Sequence, residues 1–130
     1  MERWLGKHSG LCYAVMRIVV GLLFACHGAQ KLFGVLGGQK IPSTPLTITA
    51  GIIEFFGGAL VALGLLAGYA AFVACGEMAA AYFRSHAPGG FWPILNQGEP
   101  AVLYCFIFLY LASKGSGRIS IDGLIRKRHP

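Results

Sequence analysis

Residues 13–33, YAVMRIVVGLLFACHGAQKLF, decide the fold class of this chain. A helix needs about 20 largely apolar residues to cross the hydrocarbon core of a bilayer, and this run has that length. It is too long for the apolar core of a secretory signal peptide, and no small-residue cleavage motif accompanies its His27 to Lys31 end. The run therefore predicts a membrane-spanning helix that is retained in the mature protein.

The composition of the whole chain agrees with a membrane protein. Of its 130 residues, 55% are hydrophobic and only 12% are charged, and the mean hydropathy is +0.63. A soluble domain of this length has too little interior to hide so many apolar side chains. We predict that the lipid bilayer covers the remainder and that residues 1–130 form a single membrane domain.

Three more apolar runs follow the first one. The second comes after the turn formers PSTP at 42–45, in which Thr44 and Pro45 match a helix N-cap and a first-turn proline. The third follows so closely that Gly64 and Gly68 must form a tight turn, and the fourth is short for a full crossing. The predicted spans are residues 13–33, 46–66, 68–84 and 98–113, and the predicted fold is an all-α bundle of four transmembrane helices.

The basic residues predict the orientation of this bundle. An even number of spans places both chain ends on one side of the membrane, and the more basic side is cytoplasmic. Near the chain ends lie Arg3, Lys7, Lys114, Arg118, Arg126, Lys127 and Arg128, against Lys31, Lys40 and Arg84 on the other side. We predict cytoplasmic termini, with residues 114–130 as a basic tail on the anionic leaflet. The net charge of +6 does not indicate nucleic-acid binding, because no aromatic-studded basic face accompanies it.

Three of the five acidic residues, Glu54, Glu77 and Glu99, lie in or at the edge of apolar runs. An ionised carboxylate in hydrocarbon is costly, so such residues normally face the bundle interior and mark functional sites. Counted from the outer boundary, His27, Glu54 and Glu77 lie about six to eight residues deep, or ~9 to 12 Å at the helical rise. We predict that they share one polar layer in the outer half of the bundle.

The predicted site combines this layer with the loop that follows the third span. Its inner residues are His27, Gln30, Glu54 and Glu77, and its mouth is formed by Lys31, Arg84, His86, Trp92, Asn96 and Glu99. The loop would anchor the protein at the membrane interface through its aromatic residues, or close over the site as a lid.

Three interpretations of the polar layer stay open. His27, Glu54 and Glu77 could ligate a metal, although the Glu-x-x-His motif of di-iron bundles is missing from the sequence. The layer could bind a small oxidisable molecule such as a quinone, with His27 and Glu77 as proton carriers. Aromatic walls for that ligand would come from Tyr82, Trp92 or Tyr104. The charged groups could instead only neutralise one another and hold the helices in register.

Other residues carry structural predictions. The four cysteines, Cys12, Cys26, Cys75 and Cys105, form no C-x-x-C motif and are predicted to be structural thiols, with an approach of Cys26 to Cys75 left open. Arg17, near the cytoplasmic end of the first span, is expected to snorkel toward the headgroups. Gly58 and Gly76 are expected on packed helix faces, because small residues let membrane helices approach closely.

Several motifs of this chain resemble those of the DoxX family. They are RIVVGLLF at 17–24, HGAQKLFG at 27–34, EFFGG at 54–58, EMAAAYF at 77–83, HAP at 86–88, FWP at 91–93, NQGE at 96–99 and GRISID at 117–122. The resemblance covers nearly the whole chain and implies a four-helix protein of the bacterial inner membrane. The polar motif positions present here are His27, Gln30, Glu54, Glu77, His86, Asn96 and Glu99.

The functions within that family are mixed. It includes the membrane subunit of an archaeal thiosulfate:quinone oxidoreductase and a mycobacterial partner of secreted oxidative-stress enzymes. The resemblance therefore implies a redox-associated protein, such as an oxidoreductase accessory subunit that works with partner redox proteins and a small hydrophobic ligand of the quinone type. The alternative is a non-enzymatic scaffold or a small-molecule permeation bundle that recruits partners in the membrane. A homo-oligomer is compatible with both.

Overall fold

A computed structural model describes residues 1–38 and 44–128 of the chain, and within these ranges every regular element is helical. Lys40, Pro42 and Ser43, which enter the sequence predictions, lie outside the described residues, as does the end of the predicted tail. The elements are α1 (Glu2–Leu5), a 3₁₀ turn (Gly6–His8), α2 (Ser9–Phe33), α3 (Pro45–Leu63), α4 (Ala67–Ala81), a π-helical turn (Tyr82–His86), a 3₁₀ turn (Ala87–Gly89), α5 (Pro93–Asn96), α6 (Glu99–Lys114) and α7 (Ile121–Arg128).

The four longest of these helices, α2, α3, α4 and α6, pack side by side in an antiparallel bundle. In the bundle α2 packs along α3, α3 along α4, and α4 along α6. Aromatic side chains close the ring between α2 and α6, where the centroids of Phe24 and Phe108 are 4.6 Å apart. Tyr13 at the start of α2 donates a 2.6 Å hydrogen bond to the carbonyl of Gly115, just after α6. The start of α2 and the end of α6 therefore lie at one end of the bundle, called here the terminal end, and the 84–98 loop lies at the opposite loop end.

Two of these helical segments, Glu2–Phe33 and Pro45–Leu63, are long and apolar enough to cross a membrane by length and composition. The α4 and α6 helices have 15 and 16 residues, or about 22 to 24 Å at 1.5 Å per residue, and the π-helical turn prolongs α4. The all-helical fold is confirmed, while the count of four spans and their orientation stay predictions. The predicted start of the second span is confirmed as well, since Thr44 caps α3 by accepting from Thr47 N at 3.2 Å and Pro45 opens the helix.

Glycines let α2 and α3 touch backbone to backbone. A Cβ atom on Gly21 would stand 2.5 Å from the amide nitrogen of Ala62, and one on Gly58 would stand 2.5 Å from that of Ala25. A Cβ on Gly28 would collide with the backbone of Phe55. The prediction for Gly58 is thus confirmed, because this close packing is how small residues join membrane helices. The prediction for Gly76 is wrong, since that residue faces open space on α4.

Arg17 does not snorkel, contrary to the sequence prediction. Its side chain is only 1% exposed, and its guanidinium donates to the carbonyls of Val61 at 2.6 Å, Ala62 at 2.7 Å and Ile119 at 2.6 Å. The last carbonyls of a helix lack partners within that helix and form its negative end. The end of α3 therefore offers Arg17 acceptors inside the protein, and it needs no exit to the headgroups.

The segment after α6 is also fixed to the bundle. The Asp122 carboxylate accepts from Leu66 N at 2.8 Å and from the hydroxyl of Ser116 at 2.6 Å, and Asp122 N donates to the carbonyl of Gly64 at 3.0 Å. Together with Arg17 these residues form a polar joint, called here the clasp. It ties α2, the α3–α4 turn and the start of α7 together at the terminal end.

Candidate functional site

Two adjoining cavities lie near the loop end of the bundle. The Glu54 cavity has a volume of about 210 Å³ and is lined by Phe24, His27, Lys31, Glu54, Met78, Ala81, Ser85, His86, Pro100, Ala101 and Tyr104. The Glu77 cavity has a volume of about 250 Å³ and is lined by Lys31, Leu46, Thr47, Thr49, Ala50, Ile53, Glu77, Ala80, Ala81, Arg84 and Ser85. Lys31, Ala81 and Ser85 belong to both linings. The two cavities therefore meet at Lys31, with one carboxylate in each.

An ion pair between Lys31 and Glu54 joins α2 to α3 at this junction. Lys31 Nζ contacts Glu54 Oε1, and the glutamate is almost fully buried while the lysine side chain is 31% exposed. A buried carboxylate needs such a partner, because its charge would otherwise lose its hydration without compensation. This pair is what the interpretation of mutually neutralising charges predicts for these two residues.

Two carboxylate oxygens of the predicted polar layer take no part in this ion pair. Glu54 Oε2 and Glu77 Oε2 are buried and have no hydrogen-bond partner among the described residues. In folded proteins the great majority of buried polar atoms have a hydrogen-bond partner. An atom without one needs an explanation, such as a ligand, a bound proton or a water molecule. Each of these two glutamates lines one cavity, so the neutralising interpretation does not account for the whole layer.

Aromatic rings form one wall of the Glu54 cavity. The Tyr104 ring lies 5.4 Å from that of Phe24 and stacks at 5.8 Å on that of Phe108. His27 meets Tyr104 edge to face, with centroids 6.0 Å apart, from an exposed position on α2. Of the three aromatic residues expected to form walls, Tyr104 is therefore placed at the cavity, whereas Tyr82 and Trp92 are not.

The donor set for a metal is not brought together. Among the residues that the structure describes, no group of three His, Cys, Asp or Glu side chains is close enough to hold a metal ion. His27 and Glu54 line one cavity and Glu77 lines the next. The metal interpretation of the layer therefore has no support in the geometry of the side chains.

The predicted mouth residues divide into two sets. In the first set, Lys31 lines both cavities, Arg84 lines the Glu77 cavity and His86 lines the Glu54 cavity. Trp92, Asn96 and Glu99 lie outside both linings, with Trp92 66% exposed in the loop. Only the first set is placed to contact a molecule in the cavities.

Asn96 instead organises the loop over the site. Its amide nitrogen donates to the carbonyl of Gly90 at 2.7 Å and to the hydroxyl of Tyr82 at 3.2 Å. Its side-chain oxygen accepts from Gly98 N at 2.8 Å, and its carbonyl lies 3.2 Å from His86 Nδ1. Tyr82 in turn donates to the carbonyl of Phe91. This network positions His86, which is one of the cavity residues.

Gln30 is predicted to belong to the inner site, but its side chain hydrogen-bonds to the turn after α2 instead. Its side-chain amide donates to the carbonyl of Leu36 at 2.9 Å. This bond holds the turn that follows α2, at a position outside both cavity linings.

Sequence reasoning missed three hydroxyl residues of the cavities. Ser85 lines both cavities from the π-helical turn, a kind of irregularity that is frequent at functional sites. Thr47 and Thr49 line the Glu77 cavity from the first two turns of α3. Two threonines so close inside an apolar span were a usable signal, whereas nothing in the local sequence marks a π-helical turn.

The neighbour of Cys75 in the structure differs from Cys26, the residue whose approach the sequence left open. Cys75 Sγ lies 3.7 Å from Cys105 Sγ, across the contact between α4 and α6. Cys26 is exposed on α2, and all four thiols are free. The neighbour of Cys75 is therefore Cys105.

Comparisons with known proteins agree on one relationship. The family model described as DoxX matches residues 12–87. An uncharacterized protein of Haemophilus influenzae is 38% identical over 95% of this chain and 98% of its own length. A protein of Mycobacterium tuberculosis described as an uncharacterized membrane protein is 30% identical over 95% of this chain and 85% of its own length. No solved structure matches the chain.

Proposed function

The chain belongs to the DoxX family of membrane proteins, and from this premise we propose that it is a redox-associated protein of the bacterial inner membrane. Its four long helices would span the bilayer with both termini in the cytoplasm, so that the two cavities open toward the outer side. In this role the cavities bind a small lipophilic molecule with a polar head, of the quinone class. The protein would act as an accessory subunit for partner redox proteins.

One observation carries this proposal: two buried carboxylate oxygens, one from a glutamate of each cavity, have no hydrogen-bond partner in the part of the chain that the structure describes. A quinol hydroxyl is a hydrogen-bond donor, and a carboxylate oxygen is an acceptor that a buried site cannot leave unused without cost. Lys31 supplies a donor for a quinone carbonyl at the junction of the cavities. The site therefore offers matching groups to both the oxidised and the reduced form of such a ligand.

The surroundings of the carboxylates suit a flat ring. Phe24 and Tyr104 provide aromatic faces, and together the two cavities reach the lower part of the range of about 300–1,000 Å³ that is common for small-molecule sites. Below them the bundle is closed by the buried side chains of Val61, Phe108 and Leu111. A closed floor favours a bounded binding site over a permeation path through the bundle.

A non-enzymatic scaffold is the second candidate function. The loop-end segment exposes Phe91, Trp92, Ile94 and Leu95, all more than half accessible. Such a row of apolar side chains suits either the membrane interface or contact with a partner protein. In that case the polar cavities would serve the architecture of the bundle only.

Quinone binding separates the two candidates. Purified protein in detergent is titrated with ubiquinone and menaquinone analogues, and Glu77→Gln and His27→Ala are compared with the wild type. Glu99→Gln is the matched control, because Glu99 is an exposed carboxylate outside both cavities. We expect the affinity to fall about tenfold or more in Glu77→Gln, equivalent to about 1.4 kcal/mol, and to stay constant in the control. Wild-type protein that binds neither analogue, or equal affinity in all variants, would overturn the quinone proposal and favour the scaffold.

A further inference from the structure

A second cleft lies at the terminal end, on the far side of the bundle from the polar cavities. It has a volume of about 460 Å³ and lies between the end of α6 and helix α7. Its lining consists of Lys114, Gly117, Arg118, Gly123, Arg126 and Lys127. Four of these six residues are cations, and none is acidic. The cleft is therefore a concentrated positive site, separate from the proposed quinone site.

The one acidic residue of α7, Asp122, forms no ion pair with the cations of the cleft among the residues that the structure describes. The Asp122 carboxylate is engaged in the clasp with Leu66 N and Ser116 Oγ, at 2.8 and 2.6 Å. Lys114 Nζ lies 5.9 Å from the centre of the Tyr13 ring, which keeps that cation at the end of α6 without cancelling its charge. Within residues 1–38 and 44–128 these cations have no carboxylate partner, so the cleft keeps a positive charge that suits an external anion.

The cleft is held in shape by the bundle. Arg17 donates to the carbonyl of Ile119, and the hydroxyl of Ser120 accepts from Gly123 N at 3.0 Å as an N-terminal cap of α7. Gly123 itself is buried, and a Cβ there would collide with the carbonyl of Arg118. Helix α7 therefore rests directly on the chain that carries Arg118. A binding site whose cations are positioned beforehand binds with less loss of freedom than a mobile basic tail.

Apolar side chains accompany the cations. Ile119, Leu124 and Ile125 are each about half exposed or more, in the same short segment that lines the cleft. A free phosphate ion has no apolar part that could contact these side chains. A phospholipid has acyl chains that contact apolar side chains and a phosphate that binds cations. The combination therefore favours a lipid over a soluble anion.

We propose that this cleft binds the phosphate head group of an anionic phospholipid, with a preference for lipids that carry two phosphates. Four cations exceed what one phosphodiester can neutralise, so a head group of the diphosphatidylglycerol type matches the charge of the cleft better than phosphatidylglycerol. Zwitterionic phosphatidylethanolamine is the poorest match. The site would hold α7 at the membrane surface and fix the terminal end in the leaflet.

The test is lipid retention measured by native mass spectrometry on protein purified in a neutral detergent. The protein is mixed with equimolar diphosphatidylglycerol, phosphatidylglycerol and phosphatidylethanolamine. The variant Arg118→Gln/Arg126→Gln removes two cations of the cleft. The control Arg3→Gln/Lys7→Gln removes two cations near the other chain end that lie outside the cleft lining. A separate arm adds millimolar inorganic phosphate to the wild-type complex.

We expect the wild type to retain the two-phosphate lipid preferentially, the cleft variant to retain at least tenfold less, and the control to match the wild type. Lys127→Gln, at an exposed position on α7, is the second variant should the double variant fail to fold. It should also lower lipid retention, most strongly for the two-phosphate lipid. Equal loss in the control would overturn the proposal in favour of unspecific charge attraction. Displacement of the lipid by inorganic phosphate would overturn it in favour of a soluble-anion site.

Discussion

Arg17 on α2 donates a 2.6 Å hydrogen bond to the carbonyl of Val61, in the last turn of α3. The same guanidinium reaches the chain before α7 through the carbonyl of Ile119. One buried cation therefore joins three segments that lie far apart in the sequence. Arg17 of α2 is therefore the central residue of the clasp.

Replacing Arg17 by Lys should destabilise the protein despite the conserved charge. An ammonium group cannot reproduce the fork geometry that serves three carbonyls, and each hydrogen bond of a charged group is worth about 1.5–3 kcal/mol. We expect a loss of about 3 kcal/mol in the free energy of unfolding, measured by denaturant titration in detergent. Arg3→Lys, at an exposed position, should show no change. A variant Arg17→Lys as stable as the wild type would support the snorkelling position instead.

The Lys31–Glu54 pair predicts a non-additive double variant. Lys31→Met leaves a buried carboxylate without its cation, which should cost about 3 kcal/mol, at the lower end for broken buried pairs because Lys31 is partly exposed. Adding Glu54→Gln should recover most of that loss. A double-mutant cycle of unfolding free energies measures the coupling. Additive effects would mean that the two side chains do not depend on each other.

The contact between α2 and α3 predicts which glycines tolerate a methyl group. Gly28→Ala places a Cβ against the backbone of Phe55, where neither side has room to move, and should cost about 1–3 kcal/mol as overpacking does. Gly76→Ala is the matched control, because its Cβ enters open space and alanine favours the helix by about 1 kcal/mol over glycine. The two unfolding midpoints should therefore move in opposite directions. Equal responses would contradict the placement of α2 on α3.

The proximity of Cys75 and Cys105 predicts a specific cross-link. Copper phenanthroline applied to a Cys12→Ser/Cys26→Ser variant should join the two remaining thiols, because their sulfur atoms start 3.7 Å apart. Maleimide labelling under denaturing conditions would then find no free thiol, and reduction would restore two. In the complementary variant that keeps only Cys26 and Cys75, both thiols should remain reactive. Efficient oxidation of that second pair would show that Cys75 faces α2.

Some features of the candidate site were visible in the sequence. Glu54 and Glu77 stood out because charged groups are rare in apolar runs, and Lys31 fell one helical turn after His27. Depth along a helix follows from counting residues, so a common level for His27, Glu54 and Glu77 could be predicted. Which of the two glutamates would meet Lys31 could not, because that depends on how each helix is rotated about its axis.

The sequence by itself determined the helical class, the start of α3 at Thr44 and Pro45, and the two long apolar helices. These features are local: they depend on hydropathy, helix capping and run length within one segment. Only the tertiary structure decided that Arg17 turns inward, that Cys75 meets Cys105 and that Ser85 enters the cavities. Those partners are set by the rotation and close approach of helices that are distant in sequence, and such packing is a property of the pair and not of either segment alone.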